Sequence, residues 1–301
     1  MKRLAIRLAF LLIPTLGFSK DMAVQAKFYR HKSAEKRVLV EKLGTLTFDD
    51  GARKLSFRDG AHDNVNVQYE AVSKVVFDVS SRMRGGAGYQ ALMATGLPGL
   101  VVGKAISRQH IRNYWFYIEY GNQKLLFEVP HEVSEEVIHK ATSIFQARVV
   151  VADYQNQGEQ LDPAKLPDVN SKQTVRVDKA HHPIPEIKPD KALVVVVCPP
   201  LATRYAGRGN QFKLHANDRV IAVNKEGTYS FAYLDPGKYK LISQSENAYE
   251  LDMELEAGQS YYFLQNTFDG VVKYETSLSR NSPELANYLL DGSYYSDWKS
   301  K

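Results

Sequence analysis

The chain has 301 residues, which is long enough for two ordinary domains. Its content of 44% hydrophobic and 11% aromatic residues is enough to form a buried core in each domain and excludes disorder throughout. Its formal charge of +5 falls to +2 if Lys2, Arg3 and Arg7 leave with a signal peptide. The other lysines and arginines are dispersed among acidic residues, so we expect no nucleic-acid partner. Cys198, the single cysteine, cannot form an internal disulfide and ends an apolar run in which it acts as a small apolar residue.

The N-terminus has the layout of a secretory signal peptide. Met1-Lys2-Arg3 is basic, and the apolar stretch 8–18 that follows is too short to span a bilayer. We predict a signal peptide in residues 1–19, and cleavage after Ala26 is the alternative to cleavage after Ser19. The protein is therefore expected to be exported to the periplasm or cell envelope of a bacterium.

Residues 27–154 are predicted to form a first domain of antiparallel strands closed by one helix. Asp50-Gly51 and Gly121-Asn122 supply hairpin turns. The strand-like segments are 38–48, 54–58, 65–69, 74–79, 114–120 and 124–129. The helix is predicted from apolar residues on one face, Val133, Val137, Ile138, Ala141, Ile144 and Phe145. Such an order predicts a small bent barrel whose open end the helix fills.

This first region resembles the pleckstrin-homology-like (PH-like) and GRAM-like barrels. The resemblance is carried by the segments LGTLTFDDGARKLSF, VNVQYEAVSKVVFD and RNYWFYIEY followed by the helix. It implies a scaffold that binds a ligand or a membrane. It does not imply a phosphoinositide site, because the hairpin loops carry no dense basic cluster.

A proline-rich linker is predicted at residues 155–191. No Phe, Trp or Tyr lies between Gln155 and Lys191, whereas prolines are frequent. Residues 182–189 should be extended in a polyproline-type conformation. We therefore expect the two flanking regions to fold as separate domains.

Residues 192–301 are predicted to form a β-sandwich that ends in a short helix. The strand-length segments are 192–198, 211–216, 219–223, 228–234, 238–243, 248–255, 260–266 and 271–276. The helix is indicated by Ser282 as N-cap, Pro283 at its first position and Gly292 after its end. YLDPGKYKL followed by EAGQSYYF resembles the prealbumin-like or Ig-like sandwich of uncharacterised secreted bacterial proteins, which implies the fold alone.

An insert between the two halves of the first domain carries the candidate contact residues. Its apolar members are Leu92, Met93, Leu97, Leu100, Val101 and Val102, bracketed by Arg82, Arg84, Lys104 and Arg108. One interpretation is that this insert dips into a membrane surface while the basic residues meet anionic headgroups. The other, which we favour, is that it packs on the barrel or on the second domain. A dinucleotide site at Gly86-Ala87-Gly88 is not expected, because an antiparallel hairpin follows.

No other motif predicts chemistry. His131, Glu135 and His139 have a spacing that could bind zinc, but a solvated helix face explains them better. The aromatic residues Tyr261, Tyr262, Tyr294, Tyr295 and Trp298 could stack on sugars, although packing within the sandwich is the favoured interpretation. We therefore predict no catalytic residue, cofactor or metal.

These observations favour an exported, non-enzymatic envelope protein that binds a protein or a membrane surface. The alternative is a carbohydrate-binding or enzymatic protein that uses the C-terminal sandwich. A contiguous cleft lined by aromatic and acidic residues would favour the alternative. The ligand and the oligomeric state are not indicated by the sequence.

Overall fold

The structure is a computed structural model that describes residues 21–32, 37, 39–60, 62–83, 110–152, 154, 158–161, 173–199, 210–245, 247–269 and 274–300. Strands in three sheets account for most of these residues, which confirms the prediction of a mainly-β fold.

The strands are β1 (Met22–His31), β2 (Leu39–Asp49), β3 (Lys54–Asp59), β4 (His62–Gln68), β5 (Val72–Met83), β6 (His110–Tyr120), β7 (Gln123–Val129), β8 (Val149–Val151), β9 (Glu159–Leu161), β10 (Gln173–Asp178), β11 (Ala192–Cys198), β12 (Phe212–Ala216), β13 (Arg219–Asn224), β14 (Thr228–Leu234), β15 (Gly237–Gln244), β16 (Ala248–Leu255), β17 (Ser260–Asp269), β18 (Tyr274–Asn281) and β19 (Tyr294–Ser300). The helices are α1 (His131–Phe145) and α2 (Pro283–Asp291), and short 3₁₀ turns lie at Tyr69–Ala71 and Gln146–Arg148. Within the described ranges, no helix is long and apolar enough to cross a membrane.

The first eight strands form the N-terminal sheet, in the order β4-β3-β2-β1-β7-β6-β5-β8. This sheet curls, because side chains from strands that are not neighbours meet in one core: the rings of Phe48 and Phe116 lie 6.0 Å apart, and those of Phe57 and Phe127 lie 5.5 Å apart. From α1, Val137, Ala141 and Phe145 pack into the same core.

The remaining strands form two sheets that pack face to face. The central sheet has the order β10-β19-β14-β11-β17-β18, and the outer sheet has the order β13-β12-β15-β16-β9. Their shared core contains Val194 and Val196 from β11 and Leu214, Leu241 and Leu251 from the outer sheet. The arrangement is a β-sandwich, as the strand pattern predicts.

The central sheet is covered on both faces. Leu193, Val195 and Val197 of β11 point away from the outer sheet and join a third core. That core also contains Val76, Trp115 and Tyr117 of the N-terminal sheet together with Leu285 and Leu289 of α2. The two regions that are predicted to fold as separate domains therefore share an apolar core, while the domain boundaries themselves stay a prediction.

Two strands lie within the residues that are predicted as a linker. Strand β9 pairs with β16 of the outer sheet, and β10 pairs with β19 of the central sheet over six residues. The absence of aromatic residues led to the linker prediction, but valines at 175 and 177 alternate with polar residues as expected of a half-buried strand. Parts of residues 155–191 therefore belong to the sandwich.

The predicted turns and the second helix are confirmed. Strands β2 and β3 flank Asp50-Gly51, and β6 and β7 flank Gly121-Asn122. In α2 the Ser282 hydroxyl accepts a hydrogen bond from the Leu285 backbone N–H, Pro283 is the first helical residue, and Gly292 follows the end.

Candidate functional site

A groove of about 600 Å³ lies between β1 and α1, and we name it the β1–α1 groove. It is lined by Asp21, Met22, Ala23 and Val24 from the strand side and by Val133, Glu136, His139, Lys140 and Ser143 from the helix. Its floor is apolar, because Met22 and Val24 are buried in the N-terminal core. Its rim is polar and exposed.

One edge of β1 faces this groove without a neighbouring strand. All ten residues of β1 pair with β2, but β7 pairs only with Lys27, Phe28 and Tyr29. The chain leaves β7 at Val129 and begins α1 at His131, so for Met22–Ala26 no described strand occupies the second edge. Since backbone N–H and C=O groups alternate between the two edges of a strand, some of them point into the groove.

The helix side of the groove follows from the spacing of α1. Val133, Glu136, Lys140 and Ser143 recur at three- and four-residue intervals and therefore share one face. The neighbouring face carries Val137 and Ala141 into the core. The apolar face thus fixes the helix on the sheet, and the neighbouring face borders the groove.

An ion pair fixes α1 to the β2–β3 hairpin at the groove. The Lys140 ammonium lies 2.5 Å from an Asp50 carboxylate oxygen, and the Lys140 side chain is only 9% exposed. Asp50 also accepts a hydrogen bond from the Tyr69 hydroxyl at 3.3 Å, and its backbone N–H donates to the Asp21 carboxylate at 2.9 Å. Burial, followed by the charge of Asp50, raises the pKa of Tyr69, so its hydroxyl stays a donor.

The charge of Lys140 is therefore already balanced within the protein. On the rim this leaves the exposed carboxylates of Glu136 and Asp21 and the exposed imidazole of His139. The groove thus combines an apolar floor, an open strand edge and an acidic rim. It suits an extended chain that carries small apolar side chains and a cation.

Most of the candidate contact residues of the insert lie outside the described residues. These are Arg84, Leu92, Met93, Leu97, Leu100, Val101, Val102, Lys104 and Arg108. The backbone of Arg82 belongs to β5, opposite Ile111 of β6. Membrane contact and internal packing of the insert both stay predictions.

The three residues with zinc-like spacing do not form a cluster. His131 is the first residue of α1, after Pro130 as N-cap, and its ring stacks on Tyr114 at 5.1 Å. Glu135 is exposed, while His139 lines the groove. Within the described ranges, no group of three or more His, Cys, Asp or Glu side chains is arranged to hold a metal ion.

The aromatic residues singled out in the sequence are mostly structural. Tyr261 is buried in the sandwich core, and Tyr262 packs against the core shared with the N-terminal sheet. Tyr294, Tyr295 and Trp298 belong to β19, and Tyr295 packs its ring 5.6 Å from that of Tyr229. They do not form a stacking platform together.

A second concavity, of about 530 Å³, lies on the outer sheet. It is lined by Asn217, Lys238, Tyr239, Lys240, Asp252, Met253 and Glu254. Lys240 forms ion pairs with Glu250 and Asp252, and the Tyr239 hydroxyl donates to the Asp235 carbonyl oxygen at 2.9 Å. Because Lys240 is already paired with acidic residues and one ring lines the concavity, this surface offers less for recognition than the β1–α1 groove.

Searches with the sequence found no matching protein-family model and no curated protein of significant similarity. The resemblances to PH-like barrels and to prealbumin-like sandwiches therefore stay resemblances of pattern.

The groove is not among the sites predicted from the sequence. Its two walls are indicated by the two-residue alternation of Met22, Val24, Ala26 and Phe28 and by the helical spacing of the polar residues of α1. Neither pattern indicates where β7 stops pairing with β1.

Proposed function

We propose that this chain is an exported, non-enzymatic interaction protein that binds an extended segment of a partner protein in the β1–α1 groove. The observation that carries the proposal is the open edge of Met22–Ala26 beside α1. An extended peptide adds as a strand to such an edge, and its main-chain hydrogen bonds supply affinity. Export is supported by the basic and apolar layout of residues 1–19.

The groove also indicates the kind of segment that it binds. Alternate side chains of an added strand point toward the floor formed by Met22 and Val24, beside Val133 of the helix. A lysine or arginine near the Glu136 and Asp21 carboxylates would complement the rim, with an interaction that weakens at high salt. The proposed ligand is therefore an extended peptide with small apolar residues at alternate positions and one basic residue.

The proposal is tested by selecting peptides from a random displayed library on the purified protein that begins at Lys20. The dissociation constant of a selected peptide is then measured for the wild type and for Ala23→Trp, which places a large side chain at a residue that lines the groove. Gln25→Trp is the matched control, because Gln25 is exposed on the same strand but does not line the groove. We expect Ala23→Trp to weaken binding about tenfold or more and Gln25→Trp to leave it unchanged.

The charge of the rim gives a second pair of variants. Glu136→Lys should weaken binding of a basic peptide, mostly through the association rate, whereas Glu135→Lys on the neighbouring exposed position should not. If no peptide is enriched above background, or if both tryptophan variants bind like the wild type, the β1–α1 groove is not the binding site.

Two further hypotheses from the sequence concern other surfaces. Membrane contact through the insert is tested by liposome flotation of the wild type and of Leu100→Asp with Val101→Asp.

A carbohydrate site on the sandwich would use the concavity beside Tyr239, Asp252 and Glu254. Glycan-array binding that is lost in Tyr239→Ala would support that alternative and count against the groove as the principal site.

A further inference from the structure

Residues 182–189, which we name the isoleucine ridge, lie across the face of the central sheet that carries Tyr229 and Tyr233. The Tyr229 hydroxyl donates a hydrogen bond to the Pro183 carbonyl oxygen at 2.8 Å. The Tyr233 hydroxyl donates to the Glu186 carbonyl oxygen at 2.7 Å. Two tyrosines of one strand thus hold two carbonyl groups that are three residues apart.

The two exposed isoleucines stand at the same three-residue interval as the bound carbonyls. Ile184 is 72% exposed and Ile187 is 56% exposed, Glu186, Lys188 and Pro189 are exposed as well, and Pro183 and Pro185 are half-buried. An ordinary strand alternates its sides every two residues, so positions three apart would point in opposite directions. A polyproline-type helix repeats every three residues, so one side of the ridge carries the bound carbonyls and another carries both isoleucines.

Further contacts hold the ridge at both ends. The His182 ring packs edge-on against the Tyr229 ring at 4.9 Å, and the Lys188 ammonium lies 4.1 Å from the centre of the Tyr233 ring. Prolines at 183, 185 and 189 fix their own φ angles. The conformation is therefore set before any partner arrives, which lowers the entropic cost of binding.

The two isoleucines contribute little to the core that the ridge covers. Five large apolar side chains are exposed among the described residues, and two of them, Ile184 and Ile187, stand three residues apart on this one segment. Single exposed apolar residues are ordinary in proteins. A pair aligned on a rigid extended segment is instead typical of the segments that bind in the grooves of partner proteins.

We infer that the isoleucine ridge is a ligand for a second protein, one with an aromatic-lined groove of the kind that binds polyproline-type segments. Rings in that groove pack on Ile184 and Ile187 and against the ring of Pro185 between them. The exposed carboxylate of Glu186 lies beside this face and favours a basic residue at the edge of the partner's groove. This surface is separate from the β1–α1 groove, and the inference does not depend on the proposed function.

The experiment uses the full chain in its native host, with the photo-crosslinking residue benzoylphenylalanine in place of Glu186. The control carries the same residue in place of Asp218, which is exposed in the β12–β13 turn of the outer sheet. We expect a covalent adduct with one envelope protein from position 186 and none from position 218. The partner's crosslinked peptide should contain Trp, Tyr or Phe.

Variants then connect the adduct to the ridge. With the purified partner, Ile184→Ser together with Ile187→Ser should weaken binding about tenfold or more. Tyr233→Phe should weaken it less, because it frees the Glu186 carbonyl without changing the exposed face. Ala23→Trp should have no effect.

The inference would be overturned by no adduct at position 186, by an adduct that survives the double serine variant with the fold intact, or by a crosslinked partner peptide without an aromatic residue. An adduct with a second copy of this chain would also overturn it. Circular dichroism of each variant confirms that the comparison is made between folded proteins.

Discussion

The Asp78 carboxylate of β5 accepts a hydrogen bond from the Ser282 backbone N–H at 2.6 Å, across the boundary between the N-terminal and central sheets. The Asn281 side chain donates to the same carboxylate at 3.0 Å. Ser282 is also the N-cap of α2, whose Leu285 and Leu289 enter the core shared by both regions. This buried carboxylate thus positions the helix that joins the two halves.

Asp78 should make stability depend on pH. Burial raises its pKa from 3.8 to about 6, although the hydrogen bonds from Ser282 and Asn281 lower it. Between these values the folded protein holds the proton and the unfolded chain does not, so the free energy of unfolding rises as pH falls from about 7 to about 4. The contribution is at most about 3 kcal/mol.

Asp78→Asn should lose this contribution, and the difference in the free energy of unfolding between wild type and variant is measured by urea denaturation across this pH range. Asp178→Asn is a control of opposite sign. Hydrogen bonds from His181 and from backbone N–H groups lower the pKa of the Asp178 carboxyl to about 2, so its contribution is lost as pH falls. A pH profile unchanged by Asp78→Asn would contradict the assignment.

The shared core predicts that the two halves stabilise each other. Leu289 of α2 is fully buried between them, so Leu289→Ala should cost about 2 to 5 kcal/mol. Hydrogen exchange of the variant should show lost protection in β6 and β7 as well as in β11 and β14. Leu43→Ala, at an exposed position, should change neither. Loss of protection confined to the sandwich would indicate independent folding, as the sequence first suggested.

Gly44 predicts a steric effect within β2. A Cβ atom at this position would meet the Arg58 carbonyl group and the Phe57 ring. Gly44→Ala should therefore destabilise the protein by about 1 to 3 kcal/mol through overpacking. Gly51→Ala, in the turn of the same hairpin, meets only an Asp49 oxygen at 3.5 Å and should be nearly neutral. Equal melting temperatures for the two variants would contradict the packing around β2.

The structure distinguishes between the two candidate cleavage sites. Met22, Val24 and Ala26 are buried in the N-terminal core, and removal of residues up to Ala26 would delete half of β1. We therefore predict cleavage after Ser19, and N-terminal sequencing of the protein from the envelope of its host should begin at Lys20. A chain that begins at Lys27, or an intact Met1 on cytoplasmic protein, would contradict this prediction.

Local signals in the sequence were sufficient for most hairpins and for α2. Turn residues such as Asp50-Gly51 and Asn217-Asp218 have backbone preferences that act within a few residues, and the cap of α2 is equally local. The strand predicted at 271–276 overlaps β18 only in part, because β18 runs from Tyr274 to Asn281.

Features that depend on distant pairing were not predictable. Strands β9 and β10 are short or polar and become strands because β16 and β19 offer edges to them. Strand β19 is likewise not predicted from the sequence, because its partners β10 and β14 are distant in the chain. The β1–α1 groove depends on where β7 stops pairing with β1, and no local pattern encodes that position.

Strand addition at β1 is tested most directly by hydrogen exchange of the protein with and without the selected peptide. We expect the peptide to slow exchange of backbone amides within Met22–Ala26 that face the groove, and to leave the amides of β15 in the outer sheet unchanged. The protection should disappear in Ala23→Trp and persist in Gln25→Trp. Protection that appears elsewhere while the amides of Met22–Ala26 exchange at their free rate would contradict binding in the β1–α1 groove.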